Sequence, residues 1–288
     1  MSDQDENYRL LELRFKDDLQ DFQSSSSTFR KLRTIDPSAT NEAPETLFIL
    51  DSSFNPPSVA HHTLALAAIH NCYSENFPKP ARLLLLFATM NADKAPEAAS
   101  FAQRLTMMNL LAEDIIKSTR GRANEYPVMP IDICVTTKPY YTEKSRAIQA
   151  EGQEWYSGAP KHIHLMGYDT LTRLFASRYY EGFHPPLSAL SPYFQQNHRL
   201  QVTLRPSGQF GSVDEQRSFV ERIRDGHLEP EGGKREWAKQ IDLSPPSSKV
   251  GVSSTTIRRA ACSGNDETVS ELCTPNVAKY VLRERPYE

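Results

Sequence analysis

Hydrophobic positions along the chain form two kinds of segment that alternate. Short apolar runs without polar alternation are typical of parallel strands buried on both faces of a sheet. Such a run occurs at residues 47–50, and further strands are predicted at residues 82–88, 131–136, 162–166 and 199–204, with a possible short one at 240–243. Apolar residues at helical spacing predict helices at residues 61–71, 101–117, 143–149, 169–176, 215–224, 254–261 and 276–285.

This alternation predicts an α/β fold: a doubly wound, Rossmann-like parallel sheet with helices on both faces. Ligands of such sheets bind at the carboxyl ends of the strands, at the point where the strand order reverses. Three stretches rich in Pro and Gly, at 119–130, 177–198 and 205–238, are predicted insertions at the ends of the sheet. The residues that follow each strand are therefore the first place to search for a site.

The N-terminal part has a different pattern. Residues 7–22 predict an amphipathic helix, four consecutive serines at 24–27 interrupt it, and residues 34–45 have the composition of a linker. We therefore divide the chain into an N-terminal amphipathic helix and linker, residues 1–44, and a main domain, residues 45–288. This helix can pack on the domain, recruit a partner or mediate self-association, and the sequence leaves these roles and the oligomeric state open.

Composition narrows the class of protein. The 288 residues are 39% hydrophobic and 24% charged, which suits a soluble globular protein with one large core. The net charge is −3, so the basic excess that normally accompanies binding to a nucleic-acid backbone is missing. The longest apolar run, residues 83–88, is too short for a membrane helix, and the acidic N-terminus is unlike a secretory signal.

Four cysteines without a C-x-x-C pair predict reduced, mostly buried thiols and no protein metal site. These features lead us to expect no nucleic-acid partner, no membrane partner and a cytoplasmic location, with the nucleus also open.

The segment after the first apolar run contains the first possible chemistry. It reads D-S-S-F-N-P-P-S-V-A-H from Asp51 to His61. Small residues in such a turn let backbone N–H groups approach phosphate oxygens, and the helix that follows has a positive N-terminus. His61, in the first turn of that helix, can donate a hydrogen bond to a transferring phosphate. Taken alone, an ordinary Pro-rich turn with a surface histidine explains the segment equally well.

A second segment reads V-G-V-S-S-T-T-I-R-R from Val250 to Arg259. Successive Ser and Thr residues before an apolar-periodic run mark the N-cap of a helix. Their hydroxyls and N–H groups can also hold a polyphosphate, with Arg258 as a charged clamp one turn into the helix. Taken alone, this segment is more simply read as a capped helix.

Together the two segments resemble the motifs of the nucleotidyltransferase superfamily, G-x-F-(N/D)-P-x-(H/T)-x-x-H and I-S-S-T-x-I-R. They lie about 200 residues apart and in the order of that family. The Asn after Phe and the S-S-T form are similar to eukaryotic nicotinamide mononucleotide (NMN) adenylyltransferases. The resemblance covers roughly residues 45–288 and is specific at the motifs. It implies transfer of the adenylyl group of ATP to NMN, which yields NAD and pyrophosphate.

The resemblance also implies roles for single residues. Catalysis would fall to His61, Lys94 and Arg258. ATP would be bound by Ser52, Ser53, Phe54, Asn55, Ser58, His61, Ser253, Ser254, Thr255 and Arg258. NMN would be bound by Lys94, Thr137, Gly167 and Asp169. Mg²⁺ would be the cofactor, held mainly by the ATP phosphates. Considered singly, Lys94 is more often a solvated lysine, and Asp169 more often a helix N-cap.

The chain departs from the family pattern at several positions. Ser52 replaces the first Gly, Ser58 stands at the His/Thr position, and Ala60 replaces the Gly before the final His. Trp155 and Trp237 lie away from the place where better-known members stack a Trp on the nicotinamide ring. Three aromatic residues near strand ends are possible replacements: Tyr140, Tyr141 and Tyr168.

These departures keep other hypotheses open. One is another nucleotidyltransferase, a pantetheine-phosphate adenylyltransferase or a cytidylyltransferase. The other is a nucleotide-binding regulatory protein with weak ATPase activity.

Overall fold

The computed structural model of the protein describes residues 3–35, 42–74, 77–90, 99–120, 129–205, 207, 209–247 and 252–288. The described residues form a seven-stranded sheet in the order β1-β4-β3-β2-β5-β6-β7. In this order, every pair of neighbouring strands is parallel except the first, because β1 is antiparallel to β4. The strands are β1 (Phe29–Ile35), β2 (Thr46–Asp51), β3 (Ala81–Ala88), β4 (Ile131–Thr136), β5 (Lys161–Gly167), β6 (Arg199–Thr203) and β7 (Ile241–Ser244).

Helices cover both faces of this sheet. They are α1 (Asp3–Ser24), α2 (Val59–Ser74), α3 (Phe101–Arg120), α4 (Tyr141–Glu151), α5 (Tyr168–Leu174), α6 (Ser191–Gln195), α7 (Val213–Arg224), α8 (Ser254–Cys262), α9 (Asp266–Leu272) and α10 (Pro275–Glu284). Short 3₁₀ helices occur at Ser177–Tyr179, Pro186–Leu190, Glu229–Glu231 and Arg235–Gln240.

The central strands are buried because each face of the sheet has its own core. In β3, Leu85 packs into the cluster that contains residues of α1, α2, α3 and α10. Its neighbour Leu84 points to the other face and packs into the cluster that contains Ile148 of α4. Both leucines are completely buried. A strand with two apolar faces has no reason to alternate with polar residues, so the predicted doubly wound α/β fold is confirmed.

The N-terminal part joins this architecture through two elements. Phe15 and Phe22 of α1 are each 1% exposed and belong to the core cluster that includes α3. The hydroxyl of Tyr280, on α10, hydrogen-bonds to Glu12 of α1. α1 therefore packs on the main sheet assembly, as the amphipathic pattern allowed, whereas the division of the chain at residue 44 stays a prediction.

Strand β1 was not predicted from the sequence. It lies at the edge of the sheet, and its pattern F-R-K-L-R-T-I is interrupted by cations. The Arg30 guanidinium lies 5.7 Å from the centre of the Phe22 ring, and the Lys31 ammonium lies 5.6 Å from the Trp155 ring. Residues 34 and 35, predicted as the start of a linker, are the last of β1.

Two short helices, α6 and α9, were also not predicted. Among the described residues, no helix has the length and apolar character needed to cross a membrane. All four cysteines are free, and three of them are buried: Cys72, Cys134 and Cys273.

Candidate functional site

The order of the strands locates one topological switch point. From β2 the chain proceeds outward through β3 and β4, then returns past both strands to place β5 on the other side of β2. The strand order therefore reverses between β2 and β5, which is where ligands of doubly wound sheets bind. A cavity of about 220 Å³ opens at the carboxyl ends of these two strands.

The wall of this cavity unites residues from distant parts of the sequence. Residues proposed from the two motifs and from the segment after β5 meet here: Ser52, His61, Gly167, Asp169 and Ser254. Other polar or aromatic residues on the same wall were not assigned to the site from the sequence: Asp51, Thr170 and Arg173, with Tyr141 named there only as a possible stacking residue.

The imidazole of His61 is fixed by hydrogen bonds on both sides. Its Nδ1 accepts the backbone N–H of Ser58 at 3.0 Å, and the Ser58 hydroxyl lies 3.0 Å from the same nitrogen. A ring nitrogen that accepts an N–H carries no proton in the neutral ring, so the proton of the neutral imidazole lies on Nε2. Nε2 lies 2.9 Å from the Ser52 hydroxyl, to which it donates.

Burial lowers the pKa of His61 to about 4. Removal of water disfavours the charged imidazolium, so the ring is neutral at physiological pH and offers one N–H at Nε2. The two departures from the family pattern at Ser52 and Ser58 are therefore the two hydroxyls that contact this ring.

Phe54 supports the ring from a third direction. Its side chain is completely buried, and its ring centre lies 5.2 Å from that of His61. Its backbone has φ of 44°, a left-handed conformation that costs a bulky residue on the order of 1–3 kcal/mol. The buried ring holds Phe54 in this conformation, which turns the chain sharply after Ser53.

The two motifs are joined by direct hydrogen bonds. The Ser254 hydroxyl donates to the carbonyl oxygen of Pro56 at 2.8 Å. One nitrogen of Arg258 donates to the carbonyl oxygen of Asn55 at 2.7 Å, and another donates to the Thr255 hydroxyl at 3.2 Å. The loop after β2 and the first turns of α8 therefore form a single unit.

Arg258 faces a second cavity. This space, of about 340 Å³, lies along α8 and has Thr255, Arg258 and Cys262 on its wall. Ser253 is the N-cap of α8, and its hydroxyl accepts the N–H of Thr255 at 3.2 Å. The capping interpretation of this segment is confirmed, and Arg258 lies beside the first motif without lining the cavity at the switch point.

Asp169 lies in the first turn of α5, whose N-cap is Gly167. The interpretation of Asp169 as a helix N-cap is therefore wrong. Its carboxylate instead lies 3.2 Å from Arg173 and 3.8 Å from Arg205. A Cβ on Gly167 would come within 2.7 Å of the Asp169 carboxylate, so a side chain there would displace the acid.

Thr137 is not brought to this cavity. The backbone N–H of Thr137 donates to the carbonyl oxygen of Thr28 at 3.0 Å, beside the start of β1, and Thr137 is not among the described residues of the cavity wall. Lys94 lies outside the described residues.

Of the three tyrosines proposed as aromatic replacements, one lies at the site. Tyr141 lines the cavity at the start of α4. Tyr140 packs against Tyr180, with ring centres 6.1 Å apart, and Tyr168 packs against Phe219 at a similar distance.

A buried ion pair at the cavity was missed from the sequence. Asp51, the last residue of β2, binds the ammonium of Lys144 on α4, and their side chains are 7% and 6% exposed. Lys144 lies on the same helix face as Tyr141 and Ile148, which is the buried face of α4. The sequence did contain a signal for this pair: a lysine on a helix face that is otherwise apolar indicates a buried acidic partner, because lysine is rarely buried without one.

The chain is similar in sequence to a known fungal protein. A curated protein of Schizosaccharomyces pombe, named "Putative nicotinamide mononucleotide adenylyltransferase", is 28% identical over 243 residues. The match covers 84% of this chain and 86% of that protein. No family model matches the chain.

The solved structures that match the chain have low sequence identity to it and low TM-scores. The nicotinic acid mononucleotide adenylyltransferase of Plasmodium falciparum, complexed with NaAD, is 12% identical with a TM-score of 0.46. That match covers 84% of this chain and 97% of the other. A "Putative Nicotinate-nucleotide Adenylyltransferase" of Vibrio parahaemolyticus is 17% identical, with a TM-score of 0.40 and coverages of 84% and 95%. At these scores the structural likeness carries no weight.

The fission-yeast relative extends the resemblance beyond the motifs, because it aligns over most of both chains. Residues of both motifs line the switch-point cavity between β2 and β5: Ser52 and His61 of the first, and Ser254 of the second. Over most of its length the chain is therefore similar to a protein named as a putative nicotinamide mononucleotide adenylyltransferase, and it contains two segments that resemble the nucleotidyltransferase motifs.

Proposed function

We propose that the protein transfers the adenylyl group of ATP to NMN and releases NAD and pyrophosphate. The observation that carries this proposal is the hydrogen-bonded junction of the two motifs beside the cavity, where His61 presents its Nε2 proton. The name of the fission-yeast relative supports NMN as the acceptor.

The reaction is a single in-line displacement. An oxygen of the NMN 5′-phosphate forms a bond to the α-phosphorus of ATP, and the bond from that phosphorus to the bridging oxygen of pyrophosphate breaks. The nucleophile belongs to the substrate, so no covalent enzyme intermediate is needed. The work of the protein is to align the two phosphates and to stabilise the charge that develops on the α-phosphate.

His61 is the residue best placed for that stabilisation. Its Nε2–H leaves the Ser52 hydroxyl and donates to an oxygen of the α-phosphate, while the Ser58 N–H continues to hold Nδ1. The neutral imidazole, fixed at Nδ1, acts here as a hydrogen-bond donor and keeps its proton. The attacking phosphate needs no base to remove a proton from it, so His61 is not required to act as one.

Other residues bind the substrates in this proposal. The backbone of Ser52, Ser53 and Phe54 lies along the nucleotide, with Asn55 and Ser58 keeping the turn in place. Arg258 and Lys94 neutralise phosphate charge, and Gly167 and Asp169 contact the ribose or base. The ATP polyphosphate is cradled by Ser253, Ser254 and Thr255, and Thr137 is assigned to NMN.

Mg²⁺ is proposed as the cofactor, arriving on the ATP phosphates. Among the described residues, no group of three or more His, Cys, Asp or Glu side chains is arranged to hold a metal ion. Both carboxylates on the cavity wall are in ion pairs, Asp51 with Lys144 and Asp169 with Arg173. These residues therefore fit an ion whose ligands are phosphates and water. Bound there, Mg²⁺ supplies charge neutralisation for the polyphosphate.

The test is a coupled assay of NAD formation with the purified full chain, ATP, NMN and Mg²⁺. Pyrophosphate should appear in equal amount with NAD. Parallel reactions replace NMN by nicotinic acid mononucleotide or phosphopantetheine, and ATP by CTP.

Preference for nicotinic acid mononucleotide would change the acceptor and leave adenylyl transfer intact. Preference for phosphopantetheine or for CTP would assign the protein to another nucleotidyltransferase. Hydrolysis of ATP to ADP without pyrophosphate, for every acceptor, would contradict the proposal and favour a regulatory nucleotide-binding protein.

A further inference from the structure

We infer that Lys144 is a positioning residue: it neutralises the Asp51 carboxylate so that a polyphosphate can occupy the cavity at the switch point. This inference rests on the proposed function in one respect, that the ligand is ATP. It concerns Asp51, which directly precedes the first motif pattern, and Lys144, which lies in neither motif segment.

The position of Asp51 makes its charge relevant to the ligand. It precedes Ser52 directly, and both residues line the same cavity together with His61. An unpaired carboxylate at this position would repel phosphate oxygens brought to the Nε2 proton of His61, because the repulsion between like charges is poorly screened at a buried site.

The cation comes from another element. Lys144 reaches Asp51 from α4, and its ammonium also lies 5.3 Å from the centre of the Tyr141 ring. An ion pair this deeply buried is costly to desolvate, and apolar residues of similar size often serve the fold as well. Stability alone therefore gives no reason for an acid at the end of β2.

The charges around Asp51 come from every element packed against it. They are Lys144 and Tyr141 of α4, His61 of α2, His164 of β5, and Asp169 with Arg173 of α5. Burial raises the pKa of the Tyr141 hydroxyl and lowers the pKa of His61 and of His164, so these three groups are neutral near pH 7.

Asp51 pairs with Lys144, and Asp169 pairs with Arg173 at 3.2 Å and with Arg205 at 3.8 Å. Loss of Lys144 alone would leave the Asp51 carboxylate, directly before the turn that we assign to phosphate, without its ion pair.

The experiment is a double-mutant cycle read as the dissociation constant of α,β-methylene ATP with Mg²⁺, measured by calorimetry on the full chain at pH 7.5. Lys144→Met should weaken binding by about tenfold or more, since it exposes the ligand to the unpaired carboxylate. Asp51→Asn should strengthen binding by about threefold or more, and the double variant should lie within about threefold of the unsubstituted protein.

A further readout separates this role from a structural one. Arg82→Met is the matched control, because it breaks a buried ion pair with Asp132 at the amino ends of β3 and β4. It should lower stability and leave the dissociation constant within about twofold.

Equal binding by the unsubstituted protein and Lys144→Met would overturn the inference while leaving ATP as the ligand. Failure of the double variant to regain affinity would also overturn it, because the lysine would then act on the ligand directly. If Lys144→Met does not fold, binding by Asp51→Asn that is equal to or weaker than that of the unsubstituted protein overturns it. Absence of binding to the unsubstituted protein would instead remove the proposed ATP site.

Discussion

The orientation of His61 depends on contacts with neighbouring side chains that the motif pattern does not contain. Nδ1 of His61 accepts a hydrogen bond from the N–H of Ser58, and the two ring nitrogens lie within hydrogen-bond distance of the Ser52 and Ser58 hydroxyls. The motif predicted the histidine, but not these contacts, because the family pattern has Gly at one of the two positions and His or Thr at the other. A serine hydroxyl on each side allows a neutral ring to keep one orientation.

Replacement of His61 by Ala should lower kcat by about 100-fold or more, because it removes a fixed hydrogen-bond donor to the transition state. The melting temperature should change far less than activity does. The matched control is His62→Ala, the next residue of α2, whose Nε2 lies 3.0 Å from the Ser118 hydroxyl away from the cavity. Initial rates at saturating substrate measure the effect, and near-normal turnover by His61→Ala would contradict the proposed role.

Elements of secondary structure were predictable where their environment is uniform. Strands β2 and β3 have continuous apolar runs because helices cover both faces, so their sequences alone identify them. Strand β1 lies at the edge, and its cations are held over Phe22 and Trp155, contacts that no local pattern contains. The pairing of Lys144 with Asp51 is hidden for the same reason, since the partner lies 93 residues away.

The junction between α8 and the loop after β2 should tolerate little change. Ser254→Ala removes the hydrogen bond to the Pro56 carbonyl, which should cost about 1 kcal/mol of unfolding free energy and raise KM for ATP several-fold. Ser270→Ala is the control, because this serine on α9 is exposed and bonds within its own helix. Urea unfolding and steady-state kinetics measure the two effects. Equal KM values for both variants would show that the junction does not shape the ATP site.

Helix α1 should behave as part of the core. Phe15→Ala leaves a cavity in the cluster shared with α3 and should lower the unfolding free energy by about 3–5 kcal/mol. Leu13→Ala, on the same helix with a side chain 50% exposed, should cost less than about 0.5 kcal/mol. A single cooperative urea transition is expected for both proteins. An unchanged urea midpoint for Phe15→Ala would mean that the packing of α1 does not contribute to the stability of the fold.

At the scale of the whole molecule, the two faces of the sheet have different chemical character. The face covered by α4 and α6 contains three buried histidines, with the rings of His162 and His198 stacked 4.3 Å apart and His164 hydrogen-bonded to Tyr193. Burial lowers the pKa of His162 and His164 well below the usual value and that of His198 to about 4. The folded protein therefore holds these rings neutral.

Stability should fall as the medium becomes acidic. The histidines bind protons below about pH 6.5 only in the unfolded chain, so stability is complete above that value and declines as the pH falls towards their folded pKa values. Each ring contributes up to about 1.4 kcal/mol per pH unit within this window. Urea unfolding at pH values from 7.5 to 5.5 measures the slope. His198→Gln should reduce the slope by about one proton, and an unfolding free energy that is constant over this range would contradict the expectation.

The hydrogen bonds that join Ser254 and Arg258 to the loop after β2 span about 200 residues of sequence. A ribosome makes the loop first and reaches α8 only after the strands of the sheet have been made. A growing chain therefore has most of its core before it has the complete site that we propose for ATP. Nucleotide binding can stabilise a folded chain only in proportion to its affinity for a finished site. Chains that stop before α8 should gain no such protection, which makes them better substrates for proteolysis than the finished protein.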